Sequence, residues 1–199
     1  MSIADKLKRI AENEQAVFDA GKKSEYDTFW DSYQENGNKI AYRLAFFGSG
    51  WNDTTFRPKY PMKMYKGQQQ MQAFYYFRGT HIDVDIDFRA VGNAQVFQSA
   101  SLLKTISKLI VTDEVTYTNW FAGCTALEDI TIEGTIGNDI SFSDCPLTKA
   151  SITSIINALS GTVTGKTLSV KATAKQAAFT DEEWAALIGT KPNWTISLV

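Results

Sequence analysis

The sequence predicts an α+β chain in which a long N-terminal helix, a coiled-coil candidate, leads into a short β-solenoid closed by an α/β cap. Three observations carry this reading. Apolar residues near the start recur at the four-three spacing of a helix seam. A Phe-led pattern recurs after 24 and then 21 residues. The end of the chain holds a helix capping box, then a proline and an alternating strand.

Composition bounds the reading. At 199 residues the chain suits one ordinary domain, or a small one with an extension. With 44% hydrophobic residues and 25 aromatics it can build a real core, which excludes disorder throughout. A net charge of −2 argues against nucleic-acid binding by bulk charge. No apolar run approaches the roughly 20 residues that span a bilayer, so no membrane insertion is expected. Met1 to Ile10 is charged where a secretion signal is apolar, and synthesis in the cytoplasm as a soluble protein is expected. Two cysteines make no disulfide framework and one histidine makes no histidine metal site; no cofactor or metal is expected.

In the N-terminal region, residues 1–37, Ile3, Leu7, Ile10, Val17 and Gly21 form the seam, with Ala4, Ala11 and Phe18 repeating at seven beside it. Ser2 can cap the helix start, and Asn36-Gly37 can end it. About 34 residues at 1.5 Å each make a rod of roughly 50 Å. Its stripe is covered either by self-association or by the globular part, and self-association is the natural answer. Ile3, Leu7, Ile10, Val17 and Phe18 are the expected oligomer interface. Glu14 and Gly21 weaken the seam without excluding it.

A connector follows over residues 38–73. The stretch 38–79 holds 11 of the 25 aromatics and a local charge of +6, from seven basic residues against one acidic. Gly, Asn, Asp and Pro among the aromatics of AFFGSGWNDTTFRPKYP indicate loops and short extended pieces. The segment reads as an aromatic plug between rod and body, or as a stacking and docking surface. Its basic group, Lys39, Arg43, Arg57, Lys59, Lys63, Lys66 and Arg78, suits docking better than a single-strand nucleic-acid face.

Residues 74–148 carry the repeats. VFQSASLLKTI, WFAGCTALEDI and SFSDCPLTKASI align on Phe97, Phe121 and Phe142. Three residues after each Phe stands Ala100, Cys124 or Cys145, followed by Leu103, Leu127 or Leu147. A degraded earlier copy is read at Phe77, with Thr80 in the small position. Alternating runs such as Ile130-Thr131-Ile132 suit strands. The expected core is Phe97, Phe121, Cys124, Leu127, Phe142 and Cys145, with the three rings stacked.

The F-x-x-C-x-x-L-x-x-I-x-I run at Phe121 to Ile132 resembles the BspA-type leucine-rich repeat. The segments NEQAVFDAGKKSEYDTFWDSYQENG, GSGWNDTTFRPKY and TDEEWAALIGTKPNWTISL resemble those of repeat proteins encoded by phages and prophages of gut bacteria. This resemblance implies an N-terminal helix, a leucine-rich-repeat β-solenoid with Phe and Cys pointing into its core, and a C-terminal cap.

The cap spans residues 149–199. Leu147 to Leu159 reads as a helix and Thr167 to Val170 as a strand. Thr180 and Glu183 form a capping box for a helix through Ile188, Pro192 stops it, and Trp194 to Leu198 is a closing strand.

Nothing in the chain meets the requirements of an active site. SGTVTGKT at Ser160 to Thr167 lacks the first glycine of a phosphate loop and follows a helix instead of a strand. Asp83, Asp85 and Asp87 share one strand face, but Phe88 and Ala94 stand where a calcium loop needs Gly and Glu. His81 has no positioned nucleophile. Cys124 and Cys145 occupy the same repeat position and read as core thiols.

The expected function is that of a non-enzymatic phage virion protein, tail- or fibre-associated, used for display or host attachment. The alternative is a bacterial leucine-rich-repeat surface module that binds a protein or glycan. Expected partners are itself, as a trimer by analogy with phage fibres, other virion proteins, and a host cell-surface glycan or protein. Nucleic acid is not among them. The expected binding surface is Asp83, Asp85, Asp87, Tyr117 and Asn119, with the loops Thr116 to Asn119 and Gly137 to Asp139. Trp120 reads equally as surface or core.

Overall fold

The computed structural model describes residues 72–88 and 95–199, and before them the backbone of three short strands, β1 (Lys39–Ile40), β2 (Thr55–Phe56) and β3 (Met62–Met64). The expected N-terminal helix with Ile3, Leu7, Ile10, Val17 and Phe18 lies outside the described residues. So do the side chains of the connector and its basic group up to Lys66.

In β4 (His81–Asp87), the order HIDVDID places Ile82, Val84 and Ile86 inward and the aspartates outward, as the two-residue period of a strand requires. β5 (Thr105–Val111) and β6 (Asp129–Gly134) follow in parallel, so that Ile82, Ile106 and Ile130 stand side by side. β2 and β3 pair with β4, and β1 with β3, all parallel. A second parallel sheet has the order β7-β8-β9, from Ile140–Phe142, Lys166–Val170 and Trp194–Leu198. Three short helices complete the described part: α1 (Lys149–Ala158), α2 (Ala172–Ala178) and α3 (Asp181–Gly189). The capping box of α3 is formed, with Thr180 accepting from Glu183 N–H and the Glu183 carboxylate accepting in return.

The expected fold class, a long N-terminal helix followed by a leucine-rich-repeat β-solenoid with an α/β cap, is overturned. The described residues form two separate parallel sheets that do not close, and no single coil runs through both. The physical reason lies at the edge of β6. Up to that point each unit hands a hydrogen bond to the one before: Lys104 N–H to Thr80 O at 2.7 Å, Glu128 N–H to Lys104 O at 2.9 Å, Thr148 N–H to Glu128 O at 2.9 Å. Thr148 then caps α1, and the next segment is helix where the series would supply a strand. Two serines of α1 take over the acceptor role of that strand. Ser151 Oγ accepts from Ile130 N–H at 2.9 Å, and Ser154 Oγ from Ile132 N–H at 3.0 Å. With its donors satisfied by side chains, β6 gains no further neighbour, and β7 pairs with β8 in the second sheet.

A column of stacked rings runs beneath the turns. Phe74, Phe97, Phe121 and Phe142 stack in succession at centroid distances of 5.4, 5.6 and 4.4 Å, all fully buried. The earliest unit is therefore anchored on Phe74, not on Phe77 as the spacing suggested. Phe77 occupies the position of Ala100, Cys124 and Cys145, three residues after the anchor. Gly79 makes room for it, since a Cβ there would come within 2.4 Å of the Phe77 ring. In the last turn the Asp144 carboxylate accepts from Gly123 N–H at 2.6 Å, whereas Tyr76 and Ser99, the equivalent residues upstream, donate to backbone carbonyls.

Replacing Ser151 by Ala leaves the Ile130 N–H buried without an acceptor and is expected to cost about 1–3 kcal/mol. Phe121→Ala, which opens the ring column, should cost about 3–5 kcal/mol. Urea unfolding measures both. A Ser151→Ala protein as stable as the parent would sink the edge-capping account.

Candidate functional site

The segment 112–120 is a chain of tight turns, closed by Val115 N–H to Thr112 O at 3.1 Å and Trp120 N–H to Tyr117 O at 3.2 Å. Asn119 takes the left-handed conformation at φ 54°, which asparagine tolerates better than most residues. The segment 137–139 is tied to it by the Asn138 amide, which donates to Asp113 O at 2.9 Å and Val115 O at 3.0 Å. Gly137 permits this approach, because a Cβ would meet Asp113 O at 2.4 Å. Asp139 Oδ1 in turn accepts from Thr167 N–H at 2.7 Å and so fixes the start of β8.

These ties leave a groove of about 340 Å³ lined by residues 116–119 and 138–141 with Thr167 and Ser169. Its polar groups are hydroxyls and amides with Asp139 as the one charged lining residue, set among carbon surface that includes Ile140. Register extends the hydroxyl face outward: Ser141, Ser169 and Ser197 are successive partners across β7, β8 and β9, and Thr167 pairs with Thr195. Alternation with buried Ile140, Phe142, Leu168 and Val170 keeps these hydroxyls on the outer side.

Polar atoms within this region go unsatisfied. Thr116 Oγ1, Tyr117 OH and Trp120 Nε1 are buried without a hydrogen-bond partner. Tyr117 is 5% exposed and Trp120 1%, and their rings meet edge to face at 5.1 Å. Trp120 is thus core. Burial, followed by the nearby Asp113 charge, pushes the Tyr117 phenol well above its ordinary pKa, so the hydroxyl keeps its proton.

The structure brings Tyr117 and Asn119 together at the groove, but the aspartate ladder is elsewhere, on β4. It is also occupied. Ser107 Oγ donates to Asp83 at 3.1 Å, and Lys108 bridges Asp85 at 3.1 Å and Glu133 at 3.0 Å. Hydrogen bonding to Glu133 and then Asp85 raises the Lys108 pKa, while Asp87 is not free either. His81 Nδ1 lies 2.7 Å from Thr80 Oγ1. Among the described residues no three His, Cys, Asp or Glu side chains gather as a metal site. The groove residues missed from sequence are Ile140, Ser141, Thr167 and Ser169. Their signal was the hydroxyl-apolar alternation of ISF and KTLSV, which fixes a face but not its neighbours.

Cys124 and Cys145 are fully buried free thiols in equivalent places. Cys124 Sγ donates to Phe97 O at 3.1 Å, and Cys145 Sγ lies 3.8 Å from Phe121 O. Burial pushes the Cys124 pKa up to about 12, and that of Cys145 up as well. No family model, curated protein or solved structure matches the chain.

Three outcomes are expected. Neither thiol should react with a water-soluble disulfide reagent until the protein unfolds. An unfolded thiol ionises near pH 8.5; below that pH the raised folded pKa contributes its full stability, which is lost as pH rises from there toward about 12, because the unfolded chain sheds protons the folded one keeps. Stability against pH, with Cys124→Ala as the shallower control, checks it. Tyr117→Phe removes a hydroxyl with no partner, so its melting temperature should equal or exceed the parent's. A clear drop on thermal unfolding would show that the hydroxyl is bonded.

Proposed function

We propose that the protein is a non-enzymatic attachment module, a tail- or fibre-associated component of a phage particle that displays the groove face to a host surface. The observation that carries the attachment part is the groove itself: donors and acceptors of both kinds held by Asn138 and Asp139, with no thiol, imidazole or amine among its lining residues. Such a surface recognises a hydrated partner and has little means of transforming it. The particle assignment rests on the resemblance of the chain to phage-encoded repeat proteins. Self-association through Ile3, Leu7, Ile10, Val17 and Phe18 would present several copies and convert weak contacts into firm attachment.

Fluorescently labelled full chain should decorate cells of the source host and should be found in purified particles. Leu7→Glu with Val17→Glu should lower the oligomeric state by light scattering and weaken the decoration with it. A protein absent from particles but still bound to cells makes it a bacterial surface module. A protein found in neither place removes the attachment reading altogether.

A further inference from the structure

We infer that the groove formed by residues 116–119, β7 and β8 binds a neutral sugar unit of a glycan chain. The inference rests on the attachment reading and names the chemistry of its partner.

Buried polar atoms in native proteins nearly always find partners, yet three go without within five consecutive residues, at Thr116, Tyr117 and Trp120. Two of the three side chains line the groove. Thr116 and Tyr117 hydroxyls both donate and accept, whereas the Trp120 indole only donates. A sugar hydroxyl likewise does both and can pair with a hydroxyl or amide of the groove in either sense, whereas a phosphate or carboxylate could accept from these groups but offers them no donor.

Charge points the same way. No Lys or Arg lines the groove, and Asp139 does, so an anionic ligand would meet repulsion without compensation. A protein partner fits less well, because interface cores are built on accessible aromatic and apolar anchors. Here the Tyr117 ring is committed to Trp120 and all but covered.

The hydroxyl rows say that the ligand is a chain. Ser141, Ser169 and Ser197 lie in register at the strand spacing of about 4.8 Å, and Thr167 with Thr195 forms a second row. They carry the groove's chemistry across the whole second sheet. Without an open aromatic platform, affinity for a single sugar should be about millimolar.

The test is amide NMR on the full chain, titrated with maltose, lactose and N-acetylglucosamine, and separately with glucuronate. Saturable shifts confined to residues 116–119, 138–141 and 167–169 with the neutral sugars, and none with glucuronate, are the expected result. Thr116→Val with Tyr117→Phe should keep its melting temperature and lose about tenfold in sugar affinity. If that variant melts early, Ser141→Ala with Ser169→Ala, both on the outer strand face, takes its place with the same expected loss. The inference is overturned if no neutral sugar saturates, if glucuronate binds as well, or if the folded variants bind undiminished. Cell decoration that protease treatment abolishes, without sugar binding, would remove this inference and leave attachment standing on a protein receptor.

Discussion

A backbone N–H that points from one strand toward a packed neighbour, away from water, needs an acceptor in that neighbour, and the arrangement of this protein follows from how that demand is met. Before β6 it is met by backbone carbonyls of the following unit, as from Phe74 N–H to Val96 O, Phe88 N–H to Ile110 O and Ser99 N–H to Ala122 O. At β6 it is met by Ser151 and Ser154, and at Gly123 by Asp144. Side-chain oxygens differ from carbonyls in one respect: they satisfy a donor without offering a matching N–H and C=O row for a further strand. The first sheet therefore stops there, α1 lies along its edge, and the remaining strands pair among themselves.

The ring column and the thiols support this arrangement from inside. Stacked Phe74, Phe97, Phe121 and Phe142 set the spacing of the turns, and the Cys124 and Cys145 thiols tie each turn to the carbonyl of the preceding Phe. The column reaches Phe142 although the sheet above it has ended at β6. Packing of apolar rings asks only for contact, whereas strand pairing asks for aligned donors and acceptors, so the two can end at different places.

The groove is a product of that mismatch. Segment 112–120 belongs to the turns over the ring column, while β7 belongs to the second sheet. They are joined through the Asn138 amide and not through a strand ladder. Two segments held by side-chain bonds leave polar atoms such as Thr116 Oγ1 and Tyr117 OH unmatched, and a concave surface between them. Asp83 and Asp85 of β4, a strand paired along its length with β5, find partners in Ser107 and Lys108.

Local periodicity was legible in the sequence because local geometry sets it. The alternation of HIDVDID makes β4, Thr180 with Glu183 caps α3, and the Phe and Cys spacing identifies side chains that are in fact buried. The short helix α2 escaped notice because ATAKQAA has neither a capping side chain nor an apolar stripe. The spacing alone does not separate Phe74 from Phe77 as the anchor of the first unit, since both are aromatic, and only the stacking on Phe97 tells them apart. What tertiary structure alone decided was where the series ends. The Phe-x-x-Cys pattern at 142–145 repeats that at 121–124, yet a helix follows it in place of a strand. The choice depends on two serine hydroxyls meeting the N–H groups of Ile130 and Ile132, residues 21 and 22 positions away along the chain. A hydrogen bond of that kind has no periodicity to read, and the groove that depends on it became visible only in the fold.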